Sequence, residues 1–278
     1  MKPRVISLLL VTTLGGMMLA AADGLPPLGL VCWTLLGGFL SAGGANVVNQ
    51  YIDRDIDGLM TRTTRRPIPS GEIAPERALA FGIGLTILST MVFLAFVNVL
   101  AAGLSLLASA IYVFVYTSWL KRTTPSNIVI GGAAGALPPM IGWAAVRGDL
   151  ELLPLWLFVV IFYWTPPHFW ALSLLIKTQY ERAGVPMLPI VRGDDEARRQ
   201  IFWYTLLLVA LTVLLVPFGL MGAVYLSAAV VLGAFFVLYA VRLRQRATAG
   251  AARTLYKFSL SYLALLFVAM VVDRHVGF

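Results

Sequence analysis

Apolar runs long enough to cross a bilayer alternate with short polar stretches along nearly the whole chain. The alternation predicts nine membrane helices, at roughly 5–22, 27–48, 77–97, 100–119, 126–146, 152–175, 201–219, 222–241 and 255–273. Prolines and glycines inside several spans are compatible with this reading, because neighbouring helices or a cavity can satisfy freed backbone groups. Two polar segments stand out by length, 49–76 and 176–200, after the second and sixth spans. Their placement suggests a four-helix internal repeat that pairs two sites at the bundle centre.

Composition supports the membrane reading. The chain is 59% hydrophobic and 12% charged, with a mean hydropathy of +0.86, well below the charge content of soluble domains. No polar segment is long enough to form a separate soluble domain, so residues 1–278 read as one transmembrane domain. The net charge of +8 is not a nucleic-acid footprint. With the N-terminus inside, 19 of the 21 Lys and Arg fall in inner segments, beginning with Lys2 and Arg4, and only Arg147 and Arg274 fall outside. The charge then faces the cytoplasm and its anionic leaflet. The start of the chain, with Ala20-Ala21-Ala22 after an apolar run, also has the form of a cleavable signal, an alternative that charge counting leaves open. The single Cys32 excludes an internal disulfide framework.

The first polar segment carries the densest chemistry. Asn49, Asp53 and Asp57 are spaced i, i+4, i+8, which on a helix stacks three oxygen-bearing side chains on one face. Such a ladder suits a hard divalent cation, Mg2+, bridging phosphate oxygens. Asp55 lies off that face and is expected to pair with Arg54 or another arginine. Arg62, Arg65 and Arg66 offer forked donors for phosphate, or else merely fix topology. Lys121 and Arg122, after the fourth span, could reach phosphates or serve as inner anchors. Gly131, Gly132 and Gly135 followed by Pro138-Pro139 predict a broken helix, lining a cavity or packing closely. His168, late in the sixth span, is one of two histidines. An ionisable group at that depth suggests function, and imidazole ligates iron or moves protons. Its aromatic neighbours, Trp164, Phe169 and Trp170, suit the wall of an apolar pocket.

Taken together, the strings Asn49-x-x-x-Asp53-Arg-Asp-Ile-Asp57, Arg66-Pro-Ile-Pro, Trp119-Leu-Lys-Arg-Thr-Thr-Pro, Trp164-Thr-Pro-Pro-His168-Phe-Trp and Ala183-Gly-Val-Pro-Met-Leu-Pro189 resemble the UbiA-type intramembrane prenyltransferases. The last two are similar to the heme-farnesylating branch. The resemblance covers residues 2 to about 200. It implies nine helices around a central cavity open to lipid, with both polar motifs capping it on the cytoplasmic side of the inner (cytoplasmic) membrane. It implies transfer of a farnesyl group from farnesyl diphosphate to a vinyl group of heme B, with water supplying a hydroxyl, to give heme O. Asn49, Asp53 and Asp57 would hold magnesium and diphosphate, and His168 would face the heme. Lys177, Tyr180, Arg182 and Trp164 are the remaining candidate substrate contacts. The expected partners are the two substrates and membrane lipids, with heme A synthase or an oxidase-assembly protein as a candidate contact. One departure stands out: Thr178-Gln179 precede Tyr180 where the family carries Asp, leaving Glu181, Asp194 or Asp195 as substitutes, or Lys177 and Arg182 as direct phosphate donors. A quinone-precursor prenyltransferase, a lipid or heme carrier, and a heme-binding assembly protein are the competing readings.

Overall fold

The computed structural model describes residues 3–21 and 24–276, with side chains from Val5 onward. Lys2, Ala22 and the side chain of Arg4 lie outside the described residues. The described chain is helical, with no strand among its elements. The long elements are α1 (Pro3–Ala20), α2 (Leu28–Ile52), α3 (Pro75–Phe96), α4 (Val99–Thr123), α5 (Asn127–Arg147), α6 (Leu152–Leu175), α7 (Gly193–Val213), α8 (Ala223–Arg246) and α9 (Ala249–Val276). Among the described residues, seven of them, α2 to α6, α8 and α9, are long and apolar enough to cross a membrane. α7 differs from the predicted span at 201–219: it starts earlier, at a charged turn containing Asp194, Asp195 and Glu196, and ends at Val213. The acidic residues in its first turn complement the helix dipole.

Many large apolar side chains point outward, among them Phe81, Met91, Phe114, Trp203 and Val231. In lipid this is the normal state of a bundle exterior. Inward, one apolar cluster joins α6 to α9 through Leu157, Leu208, Tyr225, Phe236 and Tyr262. A second joins α1, α3, α4 and α5 through Met17, Phe93, Ala101 and Met140. The third cluster positions the site. Ile56 and Met60 of the first polar segment pack with Tyr180, Val185 and Met187 of the second, so the two segments meet.

Two irregularities shape that end of the bundle. α5 breaks at Leu137, directly before Pro138-Pro139, as the prolines predict. Beyond the break the close-packing alternative holds, because Pro139 and Gly142 abut the backbone of α1. In α4, residues Ile111–Leu120 wind as a π-helix. The Thr117 and Ser118 hydroxyls donate to the carbonyls of Tyr112 and Val113, at 2.7 and 2.8 Å, across the widened turn. π segments recur at functional sites because they turn side chains out of the α register.

Candidate active site

α2 ends one residue before Asp53, which closes the helix with φ −85° and ψ 5°, and the short helix Arg54–Asp57 follows. The expected continuous helix is therefore interrupted at Asp53, although the backbone bonds from Asp53 N–H to the Asn49 carbonyl and from Asp57 N–H to the Asp53 carbonyl persist, at 2.9 and 2.8 Å. Asn49 and Asp53 still meet: the Asn49 amide donates to Asp53 Oδ2 at 2.7 Å and to Thr117 Oγ1 of the π segment at 3.1 Å. Lys121 Nζ lies 2.5 Å from the same Asp53 oxygen. Asp57 is served from the other side by Arg66 Nη1, at 2.5 Å, while the Thr63 hydroxyl donates to its backbone carbonyl at 2.7 Å.

Both carboxylates are buried, each 1% exposed, and each uses only one oxygen for hydrogen bonding. Asp53 Oδ1 and Asp57 Oδ1 are buried without a hydrogen-bond partner, with Arg122 Nη2 3.7 Å from Asp53 Oδ1 as a longer ion pair. Burial of an unpartnered carboxylate oxygen is costly. Two such hard oxygens, with Asn49 beside them, fit a magnesium ion, which takes one or two carboxylates and fills its remaining positions from phosphate and water. Burial holds the Asp57 carboxyl above its ordinary pKa, against the pull of Arg66.

Asp55 leaves this face, as its spacing requires. Its partner is Arg122, whose two terminal nitrogens each lie 2.7 Å from a carboxylate oxygen. These bonds hold the Asp55 pKa down to about 2. Arg54 turns away instead, its guanidinium 4.4 Å above the Tyr51 ring.

The remaining candidates divide clearly. Arg62 is exposed but lies near the buried Tyr180, where its charge opposes the rise in the phenol pKa that burial causes, so the two polar segments face each other at this point. Arg65 and Arg182 are exposed. Lys177 is paired with Asp194 at 2.9 Å, and Asp195 and Glu196 pair with Arg198 and Arg199. Glu181 is exposed, whereas Gln179 buries an amide oxygen that has no hydrogen-bond partner. Among the described residues, no three His, Cys, Asp or Glu side chains converge as a cation site. Glu181, Asp194 and Asp195 thus do not join Asp53 and Asp57 around one ion.

His168 sits apart from the carboxylates, stacked between Trp164 and Tyr256 at centroid distances of 4.3 and 4.8 Å. Its Nδ1 lies 2.7 Å from Ser259 Oγ, and the Trp164 indole donates to the Ser259 carbonyl at 2.8 Å.

The chain that places this buried carboxylate pair where two polar segments meet matches the model of the UbiA prenyltransferase family over residues 9–267. The chain belongs to this family. It is 55% identical to a protoheme IX farnesyltransferase of Roseiflexus sp. over 99% of its own length, and spans about half (51%) of that longer relative. It is 53% identical to a protoheme IX farnesyltransferase of Gloeobacter violaceus, covering 98% of this chain and 89% of the relative. Solved structures share the fold at low identity. A UbiA homolog from Aeropyrum pernix superposes with a TM-score of 0.76 at 21% identity, covering 98% of both chains. A UbiA homolog from Archaeoglobus fulgidus bound to GPP and Mg2+ does so with 0.68 at 17%, covering 96% of this chain and 98% of the other.

Residue spacing missed several side chains that the fold brings to these candidate residues. Thr117 lies inside an apolar run, and only the π turn carries it to Asn49. Ser259 and Tyr256 belong to the last third of the chain, which reads as generic apolar helix. A weak signal existed in α4, where Tyr112, Tyr116 and Thr117 interrupt the apolar pattern on adjacent turns.

Proposed function

We propose that the chain transfers a farnesyl group from farnesyl diphosphate to a vinyl group of heme B, yielding heme O and diphosphate. The carrying observation is the pair of buried carboxylates, Asp53 and Asp57, each flanked by a cation and each keeping one oxygen without a hydrogen-bond partner. The identity to protoheme IX farnesyltransferases supports the choice of acceptor.

In this reading Asn49, Asp53 and Asp57 hold Mg2+, which neutralises charge on the diphosphate. Lys121, Arg66 and Arg62 supply donors where negative charge grows as the allylic C–O bond breaks. The vinyl carbon of heme B forms the new C–C bond. Water adds to the resulting cation beside the porphyrin ring and loses a proton, giving the hydroxyl. The aromatic wall of Trp164, His168 and Tyr256 keeps water from the farnesyl cation before that bond forms.

The same reading adds α1 and α7 to the seven spans, giving nine helices around a cavity open to lipid, arranged as a four-helix repeat in one domain. It places the N-terminus and both polar segments on the cytoplasmic side of the inner membrane, supported by the concentration of Lys and Arg in those segments. Heme A synthase or an oxidase-assembly protein is the natural recipient of the product.

The test is incubation of purified protein with heme B, farnesyl diphosphate and Mg2+, with the products identified by mass. Heme O together with released diphosphate supports the proposal. Substrate movement without diphosphate release indicates a carrier, and heme binding without any product indicates an assembly protein.

A further inference from the structure

The surroundings of His168 define its protonation more closely than its position alone. The Ser259 hydroxyl has two close neighbours, the Tyr256 carbonyl oxygen at 2.7 Å and His168 Nδ1 at 2.7 Å. A hydroxyl carries one proton and accepts freely at oxygen. If that proton went to Nδ1, Ser259 Oγ would face the Tyr256 carbonyl as lone pair against lone pair. If it goes to the carbonyl, Nδ1–H can donate to Oγ, and both short contacts are hydrogen bonds. Only the second assignment satisfies all three groups.

Three sides of the imidazole are thereby taken. Trp164 and Tyr256 stack on it at interplanar angles of 18° and 29°. At such centroid distances both rings cannot share one face, so they cover opposite faces. The Nδ1 edge is closed by Ser259, itself fully buried. His168 is nevertheless only half-buried, and its Nε2 is not among the buried side-chain atoms left without a hydrogen-bond partner, so the Nε2 edge is the one left for a ligand.

We propose that Ser259 is a positioning residue that holds His168 as the Nδ1–H tautomer and aims the Nε2 lone pair at the iron of the heme substrate. A hydrogen bond at one ring nitrogen commonly sets which nitrogen ligates a metal. The iron-ligand half of the proposal rests on the heme reading above; the tautomer half does not.

The chain has only two histidines, so 15N-histidine labelling in detergent, with His275→Gln for assignment, reads the tautomer of His168 directly. The expected spectrum has a protonated Nδ1 and an unprotonated Nε2, and Ser259→Ala shifts the population toward Nε2–H. Heme B titration without farnesyl diphosphate, followed in the visible region, supplies the second readout. Wild type gives an imidazole-ligated band and His168→Ala lacks it. Ser259→Ala binds about tenfold more weakly, and Ser259→Thr, which keeps the hydroxyl, restores binding. An Nε2–H tautomer in the wild type, or a Ser259→Ala variant unchanged in both readouts, overturns the positioning role. A heme spectrum identical in wild type and His168→Ala overturns iron ligation alone. Mass analysis of the prenylated product tests farnesyl transfer separately.

Discussion

Lys121 Nζ lies 2.5 Å from Asp53 Oδ2, a buried ion pair joining the start of the first polar segment to the end of α4. Removing one member of such a pair leaves an uncompensated buried charge, at a cost of about 3–5 kcal/mol. Lys121→Met is therefore expected to lower stability by up to about that amount, with Arg122, 3.7 Å from the other Asp53 oxygen, left as a weaker counter-charge. Asp53→Asn/Lys121→Met should recover most of the loss while remaining inactive. Thermal unfolding in detergent and diphosphate release, measured on the same samples, separate the two effects. Recovery of turnover in the double variant would show that Asp53 is structural only.

Asp57 stands in a matching relation to Arg66. Asp57→Asn keeps the shape and removes the charge that would hold a cation. We expect diphosphate release to fall by about 10²–10³-fold, the range for loss of one preorganised electrostatic contact, and half-activation to need more Mg2+. A Mg2+ titration of the release rate checks both, and a normal rate at ordinary Mg2+ counts against the metal role.

Asp55 gives the contrasting case. It is a neighbour in sequence but faces Arg122, and both side chains are substantially exposed, 58% and 35%. Its folded pKa of about 2 lies below the unfolded value of about 3.9. The stability it contributes is thus complete above about pH 4 and disappears as the pH falls through about 2. Exposure keeps that contribution under about 1 kcal/mol. Asp55→Asn should differ slightly from wild type in unfolding at pH 7, less near pH 2 and not at all well below it, with turnover little changed.

The contrast among these three aspartates was legible in the spacing alone, because helix periodicity separates Asp55 from Asp53 and Asp57 before any fold is known. So were the membrane class, the polar segments and the break before Pro138. The partners were not. Lys121 reaches Asp53 from 68 residues away and Ser259 reaches His168 from 91, and periodicity records only neighbours within one helix. The interruption of the helix at Asp53 also escaped the pattern, since an i, i+4, i+8 ladder reads the same on one helix or two.

Asp273 shows what else that limit hides. It is buried in α9, and its two oxygens accept from the backbone N–H groups of Gly222 and Tyr225, at 2.5 and 3.0 Å. It thus caps the first turn of α8 from a different helix. Asp273→Ala is expected to cost about 1–3 kcal/mol, the penalty for leaving buried donors unsatisfied. The activity of the folded fraction should persist, because the cap touches neither polar segment. Unfolding midpoints and specific activity per folded molecule measure the two halves.

Two glycines of α5 test the broken helix itself. A methyl group added at Gly142, beyond the break, runs into the Thr13 carbonyl oxygen of α1, whereas one added at Gly135, before the break, meets nothing within 4 Å. Both glycines have ordinary helical backbone, so conformational strain does not separate them; only space does. Gly142→Ala must push α1 away from α5, a rigid backbone displacement of the kind that costs about 1–3 kcal/mol. Gly135→Ala improves helix propensity by up to about 1 kcal/mol and should be neutral or slightly stabilising. Comparing the two unfolding curves decides whether this glycine-rich stretch serves helix contact or an open interior. A large loss at Gly142 with none at Gly135 confines the open space to the side of α5 that carries Gly135, since Gly131 and Gly132 before the break already pack on Tyr116 and Thr165. Equal losses would mean that the stretch packs along its whole length, leaving no open space beside Gly135 for a substrate.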